Sequence, residues 1–309
     1  MVALAVAALL AASSLQARYD AARDVVEHSR DRSAIAHARA EIARVEHADG
    51  APRVRSTSIP RLPAGWGRAH PAGTVDAKLS ARLSGIGARF PGTSAFWVHD
   101  LRTGRVASWN AEATLPAAST VKLAAFASAL RAHRRDLRYD AEQLAAWSSN
   151  LAANRIVALL GYTRIARAMR SLGMTHSTYP GPYRVGTAAG ALHTRVTTAH
   201  DLGRALFALQ RAALGRSSFL TRAQGRRALM LLRGALPFGD NVGLLRPWLR
   251  GVAVAEKNGW LDDARLTAAI VYRRRGPMIV VVALSREGGL YARDARRIGR
   301  DVLRAIAAS

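Results

Sequence analysis

Apolar side chains recur along the 309 residues at two different spacings, and each spacing predicts a different element. Short runs that alternate or stay apolar occur at TSAFWVHD (93–100) and GRVASWN (104–110), then again at VAVAEKNGW (252–260), RLTAAIVYRRR (265–275) and MIVVVALS (278–285). Successive side chains of an extended chain point to opposite faces, so these five runs read as strands. The turn Leu101-Arg102-Thr103-Gly104 makes the first two a hairpin, and Gly276-Pro277 is expected to turn between the last two. Helical spacing marks Val75 to Ala88, most of Leu123 to Ala213, and RDARRIGRDVLRAIA (293–307) near the carboxyl end. The loop THSTYPGPYRVGTAAGALHTR (175–195) interrupts the long middle block. Two early and three late strands around inserted helices predict the α+β class. A five-stranded antiparallel sheet would be built from both ends of the chain and flanked by terminal helices, with an all-helical lobe inserted between. A cleft is expected where that lobe meets the sheet.

The amino end follows another pattern. MVALAVAALLAASSLQA (1–17) is an uncharged apolar run closing on small residues, shorter than the roughly 20 apolar residues of a membrane span. It reads as an export signal or a short anchor, which would place the protein outside the cell or at its envelope. From 18 to 49 charge and alanine dominate, and Val25, Val26, Ile35, Ile42 and Val45 give only a thin apolar stripe. That predicts a mostly solvated helix, a charged stalk, closed by Gly50 and Pro52. Residues 50–73 crowd proline and glycine into a linker. The folded domain is therefore set at 74–309, with a sheet lobe of 74–118 and 250–309 and a helical lobe of 119–249.

Half of the residues are hydrophobic, enough to bury a full core. The formal charge of +25 would suit a polyanion such as nucleic acid, an anionic membrane or an acidic wall polymer. The arginines are nevertheless scattered over nearly the whole length, and no RNA-binding sheet motif, zinc-finger spacing or basic zipper is present. Nucleic acid is not an expected partner: a solvated surface with a compositional bias is the plainer reading and contact with an anionic cell envelope the alternative, and a monomer is expected. The absence of cysteine excludes thiolate catalysis, disulfides and cysteine-ligated zinc. The histidines show no metal-ligand spacing, so no metal or other cofactor is expected.

Of the 46 Lys and Arg residues, only Lys78, Lys122 and Lys257 are lysine. A site that needs an amine able to lose its proton near neutrality must keep a lysine, because arginine stays charged. Lys78 reads as an exposed helix residue. Lys122 lies three positions after Ser119 at the start of a helix, where residues one turn apart meet and free N–H groups face the serine. A desolvated lysine near positive charge can take the serine proton and so make a nucleophile. In WSSN (147–150), Ser148 can relay a proton and Asn150 offers both donor and acceptor to a peptide-like substrate; a helix cap is the plainer reading. In EKNGW (256–260), Lys257 supplies a cation, Gly259 lets a substrate approach the backbone, and the Trp260 N–H can join that of Ser119 as an oxyanion hole.

S-x-x-K, then S-x-N, then K-x-G on a late strand resembles the penicillin-recognising serine enzymes. From about Val75 onward the chain is similar to the class A β-lactamases, through DLRTGRVASWNAEATLPAAST, NLAANRIVALLG, TTAHDLGRAL and VAVAEKNGWLDDARLTAAIVY. The resemblance implies the family's two-lobed fold, with Ser119 acylated, Lys122 as its base and Ser148 as proton shuttle. It further implies that Asn150, Asn258, Gly259 and Trp260 bind the substrate, with Lys257 on its carboxylate side. The substrate would be a β-lactam or a related D-alanyl, peptidoglycan-like amide. Three departures bear on fit. Ser149 replaces the usual Asp, Asn258 replaces Thr or Ser, and the stretch between Ser119 and Ser148 is shorter than in relatives. A fourth bears on turnover: the loop from Met174 to Thr197 holds no Asp or Glu, where the class A enzymes carry the glutamate that activates water. His176, Tyr179, Tyr183 and His193 are the loop's other candidates. Slow release of the acyl group is expected, and the rival readings are a penicillin-binding D,D-carboxypeptidase or esterase and a catalytically weak envelope-binding protein.

Overall fold

The computed structural model describes residues 14–52, 58–186 and 195–309. Strands form where the sequence alternates or stays apolar: β1 (Thr93–Asp100), β2 (Val106–Trp109), β5 (Ala253–Trp260), β6 (Ala264–Arg273) and β7 (Gly276–Ser285). They make one antiparallel sheet in the order β2-β1-β7-β6-β5, so early and late segments of the chain interleave as expected. A short second ribbon pairs β3 (Leu115–Pro116) with β4 (Val196–Thr197). The central strand β7 is apolar on both faces because both are covered. Ile279, Val281 and Ala283 face the helical lobe. Val280, Val282 and Leu284 face the opposite cluster, which contains residues of α3 (Ala77–Ala88) and α10 (Ala292–Ala307).

The inserted lobe comprises α4 (Lys122–Ala132), α5 (Arg138–Trp147), α6 (Asn150–Leu160), α7 (Tyr162–Leu172), α8 (Ala199–Ala213) and α9 (Arg222–Arg233). α8 lies against the sheet so closely that a Cβ on Gly203 would come within 2.3 Å of the Trp97 ring. One expected turn is displaced. Arg274 and Arg275 make it, while Gly276 and Pro277 already belong to β7, with Pro277 opposite Tyr272. Proline is tolerated there because the first residues of a strand can forgo a ladder N–H.

The charged stalk needs a larger correction. Residues 15–48 are two helices, α1 (Leu15–His28) and α2 (Arg32–Ala48), with Asp31 capping the second through the N–H groups of Ser33 and Ala34. They fold onto the helical lobe instead of standing in solvent. Tyr19, Ala22, Ala38, Ile42 and Val45 cluster with Leu151 of α6. The Tyr19 hydroxyl donates to Asp140 at 2.6 Å, Arg155 reaches Asp24 at 2.6 Å, and Arg23 and Arg155 each lie 3.6 Å from Asp140. A count of aliphatic residues missed this face because alanine, tyrosine and paired charges make up much of it. The Pro/Gly segment is likewise tied down. Gln210 donates to the carbonyls of Trp66 and Arg68, and the His70 N–H reaches Leu101 O at 2.9 Å.

Most of the apolar run at the amino end, residues 1–13, lies outside the described residues. Ser14 caps α1, and the Gln16 side chain donates to the Leu151 carbonyl at 3.3 Å. Among the described residues no helix is long and apolar enough to cross a membrane.

Candidate active site

A cavity of about 700 Å³ opens between the two lobes, lined in part by Ser119, Ser148, Asn150, Tyr183, Trp260 and Asp49. Ser119 sits in the tight turn ahead of α4 rather than in the helix itself, with Thr120 N–H on Ala117 O at 3.0 Å and Lys122 N–H on Ser119 O at 3.3 Å. Ala118 before it has φ +47, a conformation rare for a side chain larger than glycine, and one that collects at functional sites. The wall opposite is β5. A Cβ on Gly259 would stand 2.9 Å from the Ser119 nitrogen and 3.1 Å from Ala117 O, so only glycine lets that strand pass so near the serine's backbone.

Behind Ser119 lies a buried polar chain. The Lys122 amine is fully buried and donates to Ser148 O at 2.6 Å and Asn150 Oδ1 at 2.5 Å. Its ammonium form loses hydration there, so the amine is held well below the usual lysine range; Lys257 and Arg195 push the same way and Asp49 opposes them. The Tyr183 ring packs 4.2 Å from the Lys122 nitrogen, and its hydroxyl donates to Ala118 O at 3.0 Å. Lys257 donates to Ser148 Oγ at 2.7 Å and to its neighbour's carbonyl, Asn258 O, at 2.8 Å. Burial pushes its amine down to about 7, against the opposing charge of Glu256. Ser148 therefore meets both lysines of the motifs, Lys122 through its carbonyl and Lys257 through its hydroxyl.

The local sequence explains how Ser148 is held. Ser148 ends α5 at φ +67 and Ser149 caps α6 by accepting from the Ala152 N–H at 3.1 Å. The cap reading of the SSN motif falls on Ser149, and Ser148 next to it faces Lys257. Asn150 turns its Nδ2 to Arg184 O at 2.7 Å, which ties the cavity's outer loop to α6.

Of the eight expected residues, Ser119, Ser148, Asn150 and Trp260 line the cavity, and Lys122, Lys257 and Gly259 back it. Asn258 does not. It is buried, donates to Asn241 O at 2.8 Å and accepts from Thr267 Oγ1 at 2.7 Å. Strand alternation turns it away from the side Lys257 faces, so it braces the sheet and the substrate-binding expectation is corrected. Arg265 is engaged by Asp240 at 2.7 Å. In the loop, the His176 ring is largely exposed and Tyr179 packs edge-on against Tyr183. His193 lies outside the described residues.

No local pattern marks Asp49, the residue that caps the carboxyl end of α2. It reaches the cavity because the amino-terminal helices fold back. Its Oδ1 accepts from the Gly186 N–H at 2.9 Å, and its Oδ2 is buried with no hydrogen-bond partner among the described residues. Burial raises its carboxyl above the usual range, while the N–H of Gly186, the Lys122 amine and the N–H groups at the start of α6 pull it back.

The two-lobed sheet-and-helix fold thus sets a serine in the turn before a helix and backs it with a buried lysine. The sequence model of the beta-lactamase enzyme family matches residues 78–145 and 134–307, and the chain belongs to that family. No curated protein matches the chain in sequence. Among solved structures, PBP-A is similar over 78% of this chain and 100% of its own, at 19% identity and a TM-score of 0.64. A β-lactamase from Sphaerobacter thermophilus is similar over 74% and 95%, at 20% identity and TM-score 0.60. The chromosome-encoded β-lactamase of Vibrio parahaemolyticus covers 74% and 98%, at 16% identity and TM-score 0.61. At these identities the likeness carries the fold.

Proposed function

We propose that the protein is a serine hydrolase that acylates Ser119 with a β-lactam or a related D-alanyl amide at the cell envelope or outside the cell. The observation that carries this reading is the occupancy of the Lys122 nitrogen. A neutral amine has two N–H donors and one lone pair, and both donors have acceptors in Ser148 O and Asn150 Oδ1. The lone pair is left for the hydroxyl proton of Ser119, one turn away. Attack of Ser119 Oγ on the substrate carbonyl gives a tetrahedral oxyanion, which the N–H groups of Ser119 and Trp260 stabilise. Because Lys257 donates to Ser148 Oγ, the Ser148 O–H is free to donate to the departing nitrogen. The proton lost by Ser119 thus returns through Lys122 and Ser148, and the C–N bond breaks. A variant of PBP-A, of the same fold, forms an acyl-enzyme complex with penicillin G, which supports this assignment of the substrate class.

Intact-mass spectrometry with penicillin G tests the proposal. The full chain should gain the mass of one penicillin, and Ser119→Ala should gain none. Labelling that survives Ser119→Ala would end the assignment. The lack of any Asp or Glu between 174 and 197 favours a second reading, a penicillin-binding carboxypeptidase. That reading requires release of D-alanine from a D-alanyl-D-alanine peptide and is refuted if only β-lactams turn over.

A further inference from the structure

The acyl-enzyme needs a base that removes a proton from water, and the loop between 174 and 197 offers no carboxylate for it. The cavity wall nevertheless contains one. Asp49 arrives from the far end of α2, outside the 78–307 span matched by the family model, and lines the same cavity as Ser119. Its position is fixed from two sides: Gly186 N–H holds Oδ1 at 2.9 Å, and the docked helices hold the backbone. Oδ2 is buried with no hydrogen bond of ordinary length among the described residues, although the N–H groups of Asn150 and Leu151 act on the carboxylate. A carboxylate oxygen in that state can accept from a water that enters the cavity.

We infer that Asp49 is the general base for deacylation, supplied in cis by the amino-terminal helical hairpin in place of a loop glutamate. The inference rests on the acyl-enzyme reading above. In the step, Asp49 Oδ2 takes one proton from a water whose oxygen bonds to the ester carbonyl carbon. The resulting oxyanion is held by the Ser119 and Trp260 N–H groups. On collapse the bond from carbon to Ser119 Oγ breaks, the proton on Asp49 passes to Oγ, and the free acid leaves. One ester and one water give one serine and one acid, and no other reactant is required. The base lies above the ordinary carboxylate range because it is buried, which makes it the stronger proton acceptor.

Time-resolved intact mass of the full chain with penicillin G separates the two claims. The native protein should label at Ser119 and then lose the label. Asp49→Asn keeps the acceptor for Gly186 N–H, so it should still label at Ser119 and release about 10²- to 10⁴-fold more slowly than the native protein. Asp49→Ala should likewise hold its label, and added formate, a small carboxylate that fits the vacated space, should restore release. Equal release by native protein and Asp49→Asn overturns the role of Asp49 while leaving Ser119 in place, and so does a native adduct that persists. Absence of labelling in the native protein overturns the acyl-enzyme reading and this one with it.

Discussion

Gly259 shows how much a single missing methyl can govern in this site. Its strand passes so near Ser119 that an added Cβ would meet backbone nitrogen and carbonyl oxygen, neither of which can swing away. Gly259→Ala must therefore push β5 off the serine turn and separate the two N–H groups of the proposed oxyanion hole. The expected result is a loss of acylation rate of about 10²- to 10³-fold, the scale of removing one oxyanion donor. Stopped-flow labelling with a chromogenic cephalosporin, beside circular dichroism, checks it; native acylation by Gly259→Ala would refute the placement. At this scale the sequence was informative where residue type alone narrows the chemistry. Lys122 and Lys257 stood out against the arginine background, and the structure buries both beside Ser148. Asn258 was misassigned because its motif position says nothing of which face of β5 it occupies.

At the scale of elements, strands and helices of the 74–309 domain followed from periodicity, with boundaries shifted by a few residues. The amino-terminal pair did not. Its apolar stripe is thin because it docks through Tyr19, alanines and a buried ionic group of Arg23, Arg155 and Asp140. Such a face depends on partners from α5 and α6, and no local pattern reveals them. Tyr19→Phe removes the hydroxyl that donates to Asp140 and leaves that buried carboxylate less satisfied. A destabilisation of about 1–3 kcal/mol is expected, read as a lower urea midpoint at constant slope. A solvated stalk would give no change.

Across the whole molecule, burial of charge beside the cavity makes stability depend on pH in two opposite windows. Glu256 is raised from 4.5 to about 7 by burial, so between those values the folded state holds a proton that the unfolded state has lost. Stability should therefore fall as pH climbs through that window. Lys257 is lowered from 10.5 to about 7, so above 7 it is the unfolded state that holds the extra proton, and stability should rise toward 10.5. Lys122, lowered well below its usual range by burial and by the charges of Lys257 and Arg195 against that of Asp49, adds to the rise. Thermal melts against pH should show a shallow minimum near neutrality from these groups. Glu256→Gln should remove the acid limb and Lys257→Met should weaken the alkaline one; unchanged limbs in both variants would refute the assignment.

The sequence by itself determined the sheet-and-helix order, the three motifs in their order along the chain, and the scarcity of lysine that singled out Lys122 and Lys257. These are local properties, fixed by spacing over a few residues and by the chemistry each residue type permits. Tertiary structure alone decided that Asn258 turns into the sheet, that Ser148 meets two amines, and that Asp49 reaches a cavity whose serine lies far along the chain. Those juxtapositions arise from packing between distant segments, where burial and charge pairing select the partner and nearby sequence carries no trace of it.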